Sequence, residues 1–150
     1  MKLYRGVSEQ VPDGIQDNPY IVLPRQPRNS DQNVHEVADE WFAQDFKIRA
    51  RSQTIFCSTD IEQAKEYSGD YGYLLEITIP DGKACTLIFS EEVNDFLEIE
   101  IDISDTKDEQ QITNWLQSKA YQSVHKPDDL PKGFEGEVML YCEQYEVRNI

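Results

Sequence analysis

The apolar residues of this chain follow two different periods, one typical of helices and one typical of strands. From about residue 30 they recur every three or four positions, which predicts a helix that is capped by Ser30 or Asp31 and ends near Phe46. The residues on its apolar face are Val34, Val37, Ala38, Trp41, Phe42 and Phe46. Between Leu97 and Ile103 apolar residues instead alternate with acids, which predicts a half-buried strand with an acidic outer face.

The remaining segments extend this mixture of strands and helices over the whole chain. Two further helices are predicted, at Ile61–Tyr67 behind a Thr59 or Asp60 cap and at about 108–122. Strands are predicted at 2–7, 51–57, 73–79, 85–89, 137–142 and 144–147. Residues 8–33, 90–96 and 126–133 are predicted to be mainly loops and turns. Because the pattern contains no repeat and no linker, it predicts a single α+β domain over residues 1–150.

The net charge of -15 is carried almost entirely by one part of the chain. Residues 1–51 hold seven of the 14 Lys and Arg but only eight of the 29 Asp and Glu, and five of the six arginines lie there. Since an acidic chain repels phosphate backbones, we expect no direct binding to nucleic acid. The arginine-rich part still suits a small anion such as a pyrophosphate, which Arg25 and Arg28 are candidates to reach.

The cysteine and histidine content predicts neither a disulfide nor a metal site. Cys57, Cys85 and Cys142 lie far apart in strand-like apolar segments, so we expect reduced thiols in the core. With only two histidines present, we expect no metal cofactor. No apolar run approaches the roughly 20 residues of a membrane span, and no signal-peptide pattern begins the chain. We therefore expect a cytoplasmic protein without a membrane partner.

Three short segments carry the most distinctive polar residues. They are Leu3-Tyr4-Arg5-Gly6, Phe56-Cys57-Ser58-Thr59-Asp60 and Phe134-Glu135-Gly136-Glu137. Their order, arginine, then Ser-Thr, then Glu-x-Glu, resembles the NAD-binding signature of the arginine–serine–glutamate class of mono-ADP-ribosyltransferases, the class of cholera toxin. Asp60 departs from this signature, because it stands where the family has a second serine.

The resemblance implies a fold and a reaction. The implied fold is an ADP-ribosyltransferase-like split β-sandwich of antiparallel sheets with flanking helices. The implied activity is transfer of ADP-ribose from NAD to a protein acceptor, through an arginine side chain, with release of nicotinamide.

The resemblance also implies a role for each matching residue. Glu137 would be the catalytic carboxylate at the nicotinamide ribose, and Glu135 would help to deprotonate the acceptor. Ser58 would orient Glu137 and, with Thr59, line the NAD pocket. Arg5 would contact the phosphate and ribose, and the backbone beside it, at Gly6, would hold the nicotinamide amide.

An aromatic ring stacks on the nicotinamide in enzymes of this family. Tyr67, Tyr71 and Tyr73, which follow the Ser-Thr segment, are the candidates for that ring. Phe134 matches the position of an aromatic residue in the loop that recognises the acceptor.

Other interpretations of the same residues remain open. Arg5 also suits an edge strand, Ser58 and Thr59 suit a helix start, and Glu-x-Glu arises readily in so acidic a chain. With water as acceptor, the same site would be an NAD glycohydrolase. A non-enzymatic protein would use the acidic face of Leu97–Ile103 to mimic nucleic acid against a basic partner. An RNA phosphate-transferring relative of the fold is a further alternative, which the glutamate disfavours.

Overall fold

The fold is an α+β arrangement of one antiparallel sheet and four α-helices, as the sequence predicts, in a computed structural model that describes residues 1–150. The strands are β1 Leu3–Val7, β2 Gly14–Asp17, β3 Ile55–Ser58, β4 Tyr73–Thr78, β5 Cys85–Phe89, β6 Gln122–Val124, β7 Glu137–Cys142 and β8 Gln144–Asn149. The α-helices are α1 Gln32–Phe46, α2 Ile61–Ser68, α3 Glu98–Asp102 and α4 Glu109–Ser118, and a 3-10 turn covers Pro127–Asp129. No helix combines the length and apolar character that a membrane crossing needs.

The sheet consists of two four-stranded halves that meet at one residue pair. The strand order is β2-β8-β4-β1-β3-β7-β5-β6. Within each half, adjacent strands pair over three to five residues, but β1 and β3 pair only at Tyr4 and Ser58. The sheet is therefore split between β1 and β3.

Two apolar cores fill the space on either side of the sheet. The inner core draws residues from both halves, including Leu3, Leu75, Val147, Ile55, Leu87 and Leu140. The helical core packs α1 and α4 against the other face, through residues such as Val34, Phe42, Ile88, Ile112, Leu116 and Met139. All three cysteines are buried and free, as predicted, and burial raises the pKa of Cys57 and of Cys142 to about 12.

Aspartates begin the three longer helices. The side chains of Asp31, Asp60 and Asp108 each accept a hydrogen bond from a backbone N–H in the first turn of α1, α2 and α4. The predicted caps Asp31 and Asp60 are thereby confirmed. These caps fix where each helix leaves the sheet.

The predicted strand Leu97–Ile103 is wrong, because this segment forms the short helix α3. Its acids accept hydrogen bonds instead of facing solvent along a strand: Glu98 from the Asn94 and Asp95 amides, and Glu100 from the Asp31 amide. Ile101, at an apolar position of the alternation, is 83% exposed. Glu98 and Glu100 of the alternating pattern thus accept hydrogen bonds from backbone amides, and they do not form the outer face of a strand.

Three smaller differences concern strands. β3 begins at Ile55 rather than at residue 51, because Arg51 and Ser52 form a turn anchored on Asp39. β2 lies inside the predicted loop 8–33, and β6 follows α4, which is shorter than predicted. Both are short strands, paired with β8 and β5 respectively.

Helix α2 lies directly on β1 and β4 because glycines face it. A Cβ atom on Gly6 would lie 1.9 Å from the Ala64 carbonyl oxygen, and one on Gly72 would lie 2.0 Å from that of Ser68. No side chain fits in either place. The two glycines therefore set the height of α2 above the sheet, and with it the position of the β3–α2 connection.

We expect Gly6→Ala to lower the free energy of unfolding by about 3 kcal/mol or more, since backbone cannot yield as a flexible side chain would. Chemical denaturation measures the change. Gly82→Ala is the control, because nothing lies within 4 Å of its Cβ and only its φ of +78° is unfavourable. Equal losses for the two variants would contradict this view of α2 packing.

Candidate functional site

Strands β1, β3 and β7 lie side by side, and each carries one residue of the signature. Tyr4 pairs with Ser58, and Ser58 pairs with Glu137. Because paired residues share a face, Ser58 and Glu137 point toward the helical core, whereas Arg5 lies on the inner-core face of β1. The structure thus brings the three together on adjacent strands, with the arginine on the opposite face from the glutamate.

Both carboxylate oxygens of Glu137 are bonded within the protein. The Arg51 Nη1 donates to Oε1 at 2.5 Å, and the Phe96 amide donates to Oε2 at 3.0 Å. The side chains of this ion pair are only 8% exposed for Arg51 and 10% exposed for Glu137. Glu137 is therefore a nearly buried carboxylate with a full counter-charge.

The Arg51 guanidinium lies between two aromatic rings. Its Cζ is 4.2 Å from the centroid of Phe56 and 4.0 Å from that of Phe96. Asp39 of α1 holds the backbone on which it stands, since Asp39 Oδ1 accepts from the amides of Arg51 and Ser52. A chain of contacts thus runs from α1 through Arg51 to Glu137.

Ser58 and Thr59 bond to other partners than the Glu137 carboxylate. Ser58 Oγ donates to Gln63 Oε1 at 2.6 Å and accepts from the Asp60 amide. Thr59 Oγ1 donates to the Phe134 carbonyl at 2.7 Å and accepts from the Gly136 amide. Thr59 thus fixes the turn that leads into Glu137, while Ser58 fixes the start of α2.

Two arginines occupy the split between the sheet halves. Arg5 Nη1 donates to the Phe56 carbonyl and Arg25 Nη2 donates to the Thr54 carbonyl, both at 3.0 Å. The Arg25 Cζ lies 3.7 Å from the centroid of Phe56, on which Arg51 also packs, and 4.1 Å from that of Tyr20. The split therefore has a cationic lining built on Phe56.

These two arginines have no carboxylate partner, although the chain is strongly acidic. Neither forms an ion pair within 4.0 Å. Burial, and then the charge of Arg5, lowers the pKa of Arg25 to about 10. Burial opposes ionisation of Tyr20, but Arg25 and Arg5 outweigh it and lower its pKa. Arg28, the other candidate of this loop, is exposed and takes no part in these contacts.

Several predicted site residues lie outside this arrangement. The side of Gly6 predicted to admit a ligand is covered by α2. Tyr67 is 43% exposed and donates to Asp95 Oδ2 at 2.6 Å, and Tyr71 is 94% exposed. Glu135 is exposed two residues before Glu137. Phe134 is buried with its ring centroid 5.1 Å from that of Phe89, so it is not presented to an acceptor.

The space beside Glu137 is small in this conformation. A cavity of about 10 Å³ adjoins it, lined mainly by the segment Ser90–Phe96, Tyr121 and Met139, and this volume accommodates about one water molecule. A larger open groove, of about 760 Å³, lies between the loop after β1, the end of α2, the start of β4 and the end of the chain, and Tyr73 is the one stacking candidate that lines it. In this conformation the cavity beside Glu137 is therefore too small for a ribose.

The sequence patterns missed Arg51 and Asp39, and underestimated Arg25. Asp39 carries a readable signal, since it falls with Val34, Ala38 and Phe42 on the buried face of α1, where an acid needs a partner. Arg51 is the first residue of the strand predicted at 51–57, so the pattern indicated a strand end and not a site residue. Its partner Glu137 is 86 positions away, and no local pattern links them.

No protein-family model, no curated protein and no solved structure matches this chain.

We expect the pKa of Tyr20 to lie below its ordinary value, and to rise in Arg25→Met because that variant removes one of the two nearby positive charges. The measurement is an NMR titration of the tyrosine Cζ resonances. Arg28→Met removes the same charge from the same loop without touching Tyr20, so it should leave the titration unchanged. An equal response to the two variants would contradict the arginine lining of the split.

Proposed function

We propose that the protein is a mono-ADP-ribosyltransferase that binds NAD across the split and transfers ADP-ribose to a protein acceptor. The observation that carries the proposal is that two arginines without carboxylate partners bond to backbone carbonyls on and just before β3, the strand that pairs with β7 at Glu137. In a chain of net charge -15, cations held together without carboxylates have an environment suited to a bound anion. A pyrophosphate is such an anion. In NAD the pyrophosphate is linked to a ribose, on which a carboxylate can stabilise positive charge.

The split of the sheet supports the finer assignment of the fold. A split β-sandwich requires two antiparallel halves that separate at one place, and the single β1–β3 pair between two apolar-packed halves fits this description. The signature residues of the resemblance lie on β1, β3 and β7, the three strands at that place. Order along the chain and neighbourhood in the sheet thus agree.

The proposed reaction breaks the bond between the nicotinamide nitrogen and the anomeric carbon of the ribose. The bonding electron pair leaves with nicotinamide, and Glu137 stabilises the positive charge that develops on the ribose. A guanidino nitrogen of the acceptor then bonds to the anomeric carbon from the opposite side and loses a proton to Glu135. Before this, the segment Ser90–Phe96 must withdraw from Glu137 to admit the ribose.

The acidic-mimic alternative loses part of its basis. It depended on an acidic outer face at Leu97–Ile103, but this segment is a short helix whose acids Glu98, Glu100 and Asp102 accept hydrogen bonds from within the chain. NAD glycohydrolase activity remains the second candidate, because the same residues act on water when no acceptor is present.

The decisive assay is release of free nicotinamide from NAD. We expect Glu137→Gln, which retains the size of the side chain, to lower the rate at least about 100-fold, since it removes the stabilising charge. The matched control is Glu143→Gln, an exposed acid at the turn after β7. Retention of activity by a folded Glu137→Gln variant, or no release by the parent with any acceptor supplied, would reject the proposal.

Glu135 separates transfer from hydrolysis. We expect Glu135→Gln to lower the ratio of ADP-ribosylated acceptor to free ADP-ribose at least about 10-fold, because only the guanidino acceptor needs its proton removed by this carboxylate. Radiolabelled NAD with an arginine-rich protein acceptor measures both products in one reaction. An unchanged ratio would exclude this role for Glu135.

A further inference from the structure

We propose that Arg51 is a positioning residue for Glu137, which supplies the counter-charge of that carboxylate and fixes its orientation at the site. The inference rests on the proposed function, in which Glu137 is the catalytic carboxylate. In the resemblance, a serine orients the glutamate. Here Ser58 Oγ is bonded to Gln63 and to the Asp60 amide, so this task is open to another residue.

The guanidinium of Arg51 is fixed by contacts on both of its faces and at Nη1. Phe56 and Phe96 lie against its faces, and Nη1 contacts both Glu137 Oε1 at 2.5 Å and Met139 Sδ at 3.4 Å. The backbone beneath it is fixed by two amide bonds to Asp39. An arginine so constrained gives the carboxylate one orientation rather than several.

Stability alone does not account for this ion pair. Replacing a buried ion pair by apolar residues is often neutral or stabilising, because desolvation offsets the attraction of the charges. In addition, Arg51 Nε is buried without a hydrogen-bond partner, which costs further free energy. An apolar pair would fill the space between Phe56 and Phe96 without either cost. The retained charge is thus better explained by what it does for Glu137.

The arrangement leaves room for a substrate hydrogen bond. An ionised carboxylate has about four acceptor directions, and Glu137 uses one on each oxygen, toward Arg51 and the Phe96 amide. Withdrawal of the segment Ser90–Phe96 also removes the Phe96 amide from Oε2, so that acceptor position becomes available to the 2'-hydroxyl of the ribose while Arg51 still bonds Oε1. Arg51 can therefore orient the carboxylate without occupying its whole capacity.

Arg51 is the cation paired with Glu137, and Arg25 shares the Phe56 ring with Arg51 without forming an ion pair. The other titratable groups around the pair are His35 and Asp39 on α1, Tyr67 on α2, Asp95 and Glu98 at α3, Tyr121 before β6, and Cys57 on the opposite face of β3. Burial, and then the charge of Glu137, raises the pKa of both tyrosines, so they are neutral at physiological pH. The ion pair with Arg51 is therefore the direct positive contact of the Glu137 carboxylate.

The test is an NMR titration of the Glu137 carboxyl carbon in the parent, Arg51→Met and Arg51→Lys, with Glu137→Gln to assign the resonance. We expect the midpoint to rise by about one pH unit or more in Arg51→Met, because the buried carboxylate loses its counter-charge. Arg51→Lys keeps the charge but not the planar fork, so its midpoint should rise by less. Arg49→Met is the control, since Arg49 is two residues away, half-exposed, and paired with Asp39 and Glu40 instead.

Kinetics of nicotinamide release supply the second readout. We expect kcat to fall at least about 10-fold in Arg51→Lys with KM changed less than about 3-fold, because orientation at the reacting ribose is lost while NAD binding is kept. In Arg51→Met the acid side of the pH–rate profile should move to higher pH with the carboxyl titration. A merely structural role would lower the melting temperature without either change.

The two proposals can fail separately. The role of Arg51 is overturned if the carboxyl titration of Glu137 in folded Arg51→Met has the same midpoint as in the parent. It is also overturned if Arg51→Lys has both the titration midpoint and the kcat of the parent. A parent that releases no nicotinamide rejects the proposed function, and the carboxyl titration still decides whether Arg51 sets the ionisation of Glu137. If Arg51→Met does not fold, Arg51→Lys decides alone.

Discussion

The ion pair between Arg51 and Glu137 connects residues that lie 86 positions apart in the chain and on different elements. Arg51 stands on a turn that α1 holds through Asp39, and Glu137 begins β7 and binds the amide of Phe96 before α3. The two aromatic rings on the guanidinium belong to β3 and to the segment before α3. One guanidinium thus contacts or is held by α1, β3, β7 and the segment Ser90–Phe96, which lines the cavity beside Glu137. Both side chains are about nine-tenths buried, so this is not an exposed ion pair, whose contribution to stability would be close to zero.

The distribution of charge follows from the same organisation. Acids outnumber bases two to one in this chain, yet Arg5 and Arg25 remain without carboxylates at the split. Many of the acids are committed elsewhere, as helix caps and as acceptors for backbone amides around α3. The negative charge therefore stabilises helix starts, while the positive charge collects where the two halves of the sheet separate. A cationic lining inside an acidic molecule favours small anions over large polyanions.

The sequence predicted those features that local chemistry determines. The Asp31 cap and apolar face of α1 were readable, as were β5 and β7, because capping and burial act between near neighbours. The Leu97–Ile103 segment was not, since its alternation arose from acids that bind amides in the segment before it and in the distant Asp31. Of the candidate site, the neighbourhood of Arg5, Ser58 and Glu137 on adjacent strands agrees with the order of the signature. The ion pair between Glu137 and Arg51 joins residues far apart in the sequence and depends on the turn held by Asp39. No spacing in the sequence predicts it.

The most direct test of the account is an NMR titration of the protein with NAD, followed through the backbone amide resonances. If NAD binds at the split, the amides of β1 near Arg5, of β3 near Phe56, of β7 near Glu137 and of the segment Ser90–Phe96 should shift together, and Arg25→Met should weaken the binding. Shifts confined to the open groove beside Asp13 and Asn149, or no shifts at millimolar NAD, would contradict the central claim.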